Sequence, residues 1–300
     1  MSFDFSRDIL QPSLELIRND TKLKKFYFFP GMFSMLFLSL ILTYQWIYTY
    51  VELLWNRDEA FQIILNFFHS WYVFHVIWSF IIIFLLYIIA IPIFEGALIR
   101  YIEQRKKNSA SCSESLGVGM FRFYPLFEFN SIVSIFKFIS LVNAYLFALR
   151  LLWIDYIWML NIFFLILFLF SCVINTLLAY ARFEIVLENK TTFEAIWIST
   201  QISLIHLKTT LKLYVMMFLL NIRVILNFVL FILFPLLALS ITSYVGSLIF
   251  TTILLVVLWI IFVFFIIALG YLAAVLEIFT KSMWYKSYLI GKERLNSIKK

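Results

Sequence analysis

The sequence predicts an all-α, polytopic integral membrane protein with six transmembrane helices and two cytoplasmic amphipathic linker helices. Three observations carry this expectation. Between Val224 and Leu276 there is no charged side chain. About 20 helical residues cross a hydrocarbon core roughly 30 Å thick, so that interval holds two crossings. The chain is 64% hydrophobic and 20% aromatic, with mean hydropathy +0.97, against roughly 45–50% apolar content in soluble domains. Finally, the basic residues collect on one side of the spans so drawn.

The first span is placed at 28–50. Charged residues fill the segment before it and no apolar stretch precedes Phe26, so no cleavable signal peptide is visible and this span doubles as the targeting signal. The second runs over 71–94 and ends on Pro92 and Glu95, where a kink would open a carbonyl. The third, at 132–153, is interrupted by Lys137 and nearly closed by Arg150, both near enough to an interface to snorkel. The fourth covers 157–180, the fifth 213–242 and the sixth 248–276, followed by a basic tail over 281–300. All are read as helices, because lipid cannot satisfy an open backbone and no barrel-type alternation is present.

Of the 24 Lys and Arg, 20 fall in the N-terminal segment 1–27, the connections between spans two and three and between four and five, and the tail. The other side holds only Arg57, among Glu52, Asp58, Glu59 and Asp155. The positive-inside rule therefore sets both termini in the cytoplasm of a cell bounded by this cytoplasmic membrane. Trp46, Trp55, Trp71, Trp78, Trp153 and Trp158 mark the outer ends of spans, as interfacial aromatics do. The formal charge of +7 thus reads as orientation and not as nucleic-acid binding.

An internal repeat organises the single membrane domain. Ala97-Leu-Ile-Arg100-Tyr101 is echoed by Ala179-Tyr-Ala-Arg182-Phe183, and each is followed by a basic turn and an S/T-x-x-E box, Ser111-Cys-Ser-Glu114 and Thr191-Thr-Phe-Glu194. In such a box the hydroxyl caps a helix N-terminus and the glutamate reaches back to a free N–H. The units, about 71–153 and 157–242, are parallel, since two spans separate them. The first linker helix is expected from Glu114 to Tyr124, loosened by Gly117 and Gly119. The second is expected from Thr192 to about Leu211, with Phe193, Trp197, Leu204 and Leu211 on one side, lying in the headgroup plane or packed under the spans.

The run Arg182-Phe-Glu-Ile-Val-Leu-Glu188-Asn-Lys190-Thr-Thr-Phe-Glu194-Ala195-Ile-Trp-Ile-Ser199 resembles a pattern in six-pass bacterial inner-membrane proteins. It is similar to the membrane domain attached to some glycerophosphodiester phosphodiesterases. The resemblance covers about 70–280 as architecture and some twenty residues as motif. It implies a membrane fold and no catalysis, because the metal-binding acids of the phosphodiesterase domain have no counterpart here.

Arg223 is the sharpest candidate for a binding role. It lies about ten residues, roughly 15 Å, into the fifth span, where a guanidinium costs at least about 2.5 kcal/mol and faces the bundle interior or a polar cavity. Asn221 lies beside it and Asn227, four residues on, shares its face. Glu95 and Asn175 complete the candidate set, Asn175 as a donor between closely packed helices in a Ser171–Asn175–Ala179 stripe. The competing reading is that Arg223 snorkels or pairs structurally with Glu95 or Glu184. No histidine or cysteine pattern points to a metal, no nucleophile or phosphate motif appears, and no cofactor is expected. The role expected is non-enzymatic: a scaffold, assembly or lipid-handling component, with membrane lipids, anionic headgroups included, and other membrane proteins as partners. A small transporter or channel near Arg223 and a membrane-embedded enzyme are the alternatives.

Overall fold

The computed structural model describes residues 5–53, 73–106, 111–151, 156–220 and 248–299, with positions 62, 69 and 71 between the first two segments. Among the described residues every regular element is helical. After a π-helical turn at Ser6–Leu10 come α1 (Gln11–Asn19), α2 (Thr21–Leu53), α3 (Val73–Lys106), α4 (Cys112–Phe121), α5 (Phe123–Ser134) and α6 (Phe138–Leu151). They are followed by α7 (Ile157–Leu177), α8 (Ala181–Leu187), α9 (Thr192–Ile205), α10 (Leu207–Leu220) and α11 (Leu248–Lys299).

Three stretches are long and apolar enough to cross a membrane: Phe84–Arg105, Ile157–Leu187 and Ile267–Ile298. A fourth counts if α9 and α10, bent by 101° at His206, form one broken span. The first span expected at 28–50 lies within α2, and most of the fifth, from residue 221 on, lies outside the described residues.

Two helices run far beyond a membrane's needs. At 1.5 Å per residue α3 is about 51 Å long and α11 about 78 Å, for 34 and 52 residues. The charges that end the apolar runs do not end the helices: Arg100 and Glu103 pair one turn apart in α3, and α11 continues through the region expected to be a tail. Pro92 sits inside α3 without breaking it.

The third span is not the single helix expected at 132–153. The N–H groups of Phe136 and Lys137 reach back only three residues, to Val133 O at 3.0 Å and Ser134 O at 3.2 Å. That tight turn divides α5 from α6 and frees the carbonyl of Phe136. The second linker helix likewise ends at Ile205 and not near Leu211, and the chain turns at His206 into α10.

α4 and α9 start directly after Ser111 and Thr191, but α4 begins two residues before the expected Glu114 and stops at Phe121, parted from α5 at Arg122, so it does not run on to Tyr124. The backbone carbonyls do what an N-cap's should, accepting from Ser115 at 3.1 Å and Ala195 at 2.9 Å. Neither side chain makes the capping bond, however. Gly119 does not loosen α4. A Cβ there would lie 2.2 Å from Ile93 O and 2.9 Å from Ala97 N, so the glycine is what lets α4 touch the backbone of α3.

The chain divides into two compact units, one of Met1–Asp20, Pro92–Ile241 and Ile278–Lys300, the other of Thr21–Ile91 and Thr242–Glu277. In the second unit Gly31 of α2 meets Gly270 and Ala274 of α11 so closely that a Cβ on Gly31 would stand 2.7 Å from Gly270 O. Phe37 stacks on Tyr87 at 4.5 Å, while Trp78, Ile82, Ile260 and Phe264 are exposed. In the first unit α7 exposes Trp158, Phe163, Ile166 and Leu169, which suits a helix solvated by lipid. The buried core of that unit forms around Leu98, Phe129, Tyr180, Phe183, Ile202 and Tyr288.

Candidate functional site

The polar side chains of the first unit converge on two buried carboxylates. Glu95 is carried by α3 and Glu184 by α8; they are 4% and 1% exposed. A carboxylate removed from water needs cations and donors around it. For Glu95 these come from three other helices. Lys281 of α11 and Arg182 of α8 both reach Oε1, the latter at 3.1 Å, and Asn130 Nδ2 of α5 donates to Oε2 at 2.9 Å. Arg182 also lies over the ring of Phe129, 5.5 Å from its centroid. Arg100, its counterpart in the repeated exit motif, stays local and pairs with Glu103.

At Glu184 the Tyr288 hydroxyl donates to Oε1 at 2.8 Å and Lys292 Nζ stands 3.2 Å from the same oxygen. Lys292 also reaches Glu188 at 2.6 Å and donates to Tyr288 Oη at 2.8 Å. Lys281, Tyr285, Tyr288 and Lys292 repeat at helical spacing and present one face of α11, so a single stripe supplies both acids.

A third cluster closes the end of α7. Ser199 Oγ of α9 donates to Leu177 O at 2.7 Å and accepts from Tyr180 N–H at 3.1 Å. Ser203 Oγ shares its proton between Thr176 O and Leu177 O, at 3.0 and 3.1 Å. The hydroxyl of Tyr180, itself fully buried, is bonded to Thr210 at 2.9 Å and Ser287 at 2.8 Å. Helix ends leave carbonyls unsatisfied, and here the serines of α9 take them up.

Asn175 donates across a helix contact as expected, and its acceptor is the carbonyl freed by the break before α6. Its Nδ2 lies 2.7 Å from Phe136 O, which Ser171 Oγ also reaches. Neighbouring side chains satisfy broken helices in lipid in this way. Asn175 and Glu95 share no bonding partner, so the structure brings these two candidates into no common site. Arg223, Asn221 and Asn227 lie outside the described residues. Glu95 and Glu184, the acids expected to receive Arg223, already have other cations.

The sequence reading missed Asn130, Lys281, Tyr288 and Lys292. The helical spacing of the α11 stripe is the available signal, and its density of positive charge, which reads as a basic tail, hides it. Among the described residues no three His, Cys, Asp or Glu side chains gather as metal ligands. Chemically, the arrangement holds α3, α5, α8 and α11 together around two buried acidic side chains. No protein-family profile, curated protein or solved structure matches the chain.

Proposed function

We propose that this is a non-enzymatic integral membrane protein of six spans, a scaffold, assembly or lipid-handling component of the cytoplasmic membrane. Its termini and both linkers face the cytoplasm, and its partners are membrane lipids, anionic ones included, and other membrane proteins. The observation that carries the reading is the commitment of the two buried acids to clamping helices. Side chains spent in this way support a framework more than a reaction centre. The likeness of the 182–199 run to the membrane domain of some glycerophosphodiester phosphodiesterases points the same way. The experiment is mass spectrometry of lipids carried by the protein when it is excised from its membrane without detergent. Enrichment of particular phospholipids over the bulk membrane is expected; a bulk composition with no co-purifying protein would refute the proposal. Orientation has its own check, since a cysteine at Lys190 should resist an impermeant reagent in intact cells while one at Asp58 reacts.

A transporter is the second reading. It is favoured by the 101° break at His206, because discontinuous helices build many transport sites, and by the position of the Asn221–Arg223–Asn227 stretch just beyond α10. Uptake or efflux lost on Arg223→Leu with normal protein levels would establish it.

A further inference from the structure

A helix of a water-soluble protein buries its large apolar side chains and exposes small polar ones. In α9 most side chains break this order. Thr192, Ala195, Ser199 and Ser203 face the protein and are buried, with Ile202 the large apolar side chain among them, while Phe193 is 70% exposed, Trp197 67% and Leu204 59%. The expected alternative of packing under the spans through this apolar side is therefore not what the fold does. The inward face is spoken for by the carbonyls at the end of α7, so the outward face needs an apolar environment of its own.

The bend at His206 says which environment. α9 meets α10 at 101°, and α10 leads toward the stretch drawn as the fifth span. If α10 runs along the membrane normal, α9 lies almost in the membrane plane, its 14 residues covering about 21 Å. The first linker adds to the same surface. Thr192, at the start of α9, donates to Pro125 O at 3.2 Å and to Glu128 at 2.6 Å. This joins Phe193 to the neighbourhood of Tyr124 and Phe121, which are 71% and 80% exposed. Arg122 and Lys190 border these aromatics in sequence, Arg122 with its guanidinium 5.1 Å from the Phe121 ring, and Lys208 and Lys212 follow past the bend, Lys212 with its ammonium 4.2 Å from the ring of Phe5. The exposed acids here are Glu114, Glu188 and Glu194; Glu188 is held 2.6 Å from Lys292 and Glu194 stands 3.9 Å from Lys190.

We infer that α9 and the α4–α5 corner form one plate immersed in the headgroup layer of the membrane that α10 enters. Phe121, Tyr124, Phe193, Trp197 and Leu204 reach the acyl boundary, and the bordering cations favour anionic headgroups. Apolar immersion together with basic residues at the rim is how interfacial helices bind such surfaces. The inference rests on the membrane reading above.

The test uses the full chain in lipid nanodiscs, with Cys112→Ser and Cys172→Ser as background and one nitroxide label per variant. Labels at Phe193, Trp197 and Leu204 should have a higher ratio of oxygen to nickel-chelate accessibility than one at Asn296, and a lower ratio than one at Ile166 of α7. Adding phosphatidylglycerol to phosphatidylcholine should raise the ratio further, and Lys190→Gln with Lys208→Gln should abolish that rise. Ratios matching Asn296, with Ile166 still oxygen-rich, would overturn the plate. Shielding from both reagents would also overturn it, by showing a protein surface on this face. The absence of any response to phosphatidylglycerol would overturn the headgroup preference. If Ile166 itself matched Asn296, the failure would lie in the membrane reading.

Discussion

Up to Ala274, the last helix meets its neighbour in the second unit by shape. Gly270 and Ala274 leave room for Gly31, and no charge takes part. From Ile278 onward, in the first unit, the same helix is held by Lys281 on Glu95 and by Tyr288 and Lys292 on Glu184. One continuous 52-residue helix thus uses two kinds of adhesion, and the change falls where its apolar run ends. In hydrocarbon there is no hydrophobic drive between helices, so close backbone approach and dispersion must serve. Beyond the apolar run, buried carboxylates fix partner and register, at the risk that losing one group strands another.

That difference can be broken from either end. The largest effect is expected for Glu95→Leu, which leaves Lys281 and Arg182 facing each other without their carboxylate. It should cost roughly 3–5 kcal/mol, read as a lowered midpoint of thermal unfolding in detergent. Adding Lys281→Leu should return part of the loss; no recovery would mean that the pair is not a unit.

Next comes Gly31→Leu. Overpacking typically costs about 1–3 kcal/mol, and here the obstacle is backbone, which cannot swing aside. This loss should be insensitive to salt. An unchanged unfolding midpoint would show that α2 and α11 do not need this crossing.

The smallest effect is expected for Asn175→Leu. Polar contacts between membrane helices average about 0.6 kcal/mol and reach about 1.7, and Ser171 still serves the carbonyl of Phe136. Asn175→Leu combined with Ser171→Ala should lose more than the two single changes together, measured by the same unfolding midpoint.

The apolar runs of α3, α7 and α11 were legible, because 20 residues without charge have few other uses. The lengths of α3 and α11 were not. A charge ends a stay in hydrocarbon but does not end a helix, and no proline or glycine pair stops α11 after Leu276. The starts of α4 and α9 could be read from Ser111 and Thr191 even though their hydroxyls form no caps. Asn175 was recognisable as a donor, but its acceptor was hidden, since neither glycine nor proline announces the break at Phe136. Glu95 stood out as an acid beside an apolar run. Its partner Lys281 is 186 residues away, and only the fold joins them.

The break before α6 also bears on how the chain is made. The carbonyl of Phe136 is satisfied by Ser171 and Asn175, 35 and 39 residues further along. During synthesis α6 emerges first and carries an unbonded acceptor that lipid cannot serve. Inserted into a membrane, α6 and α7 would therefore enter as a pair, because only together is that carbonyl bonded.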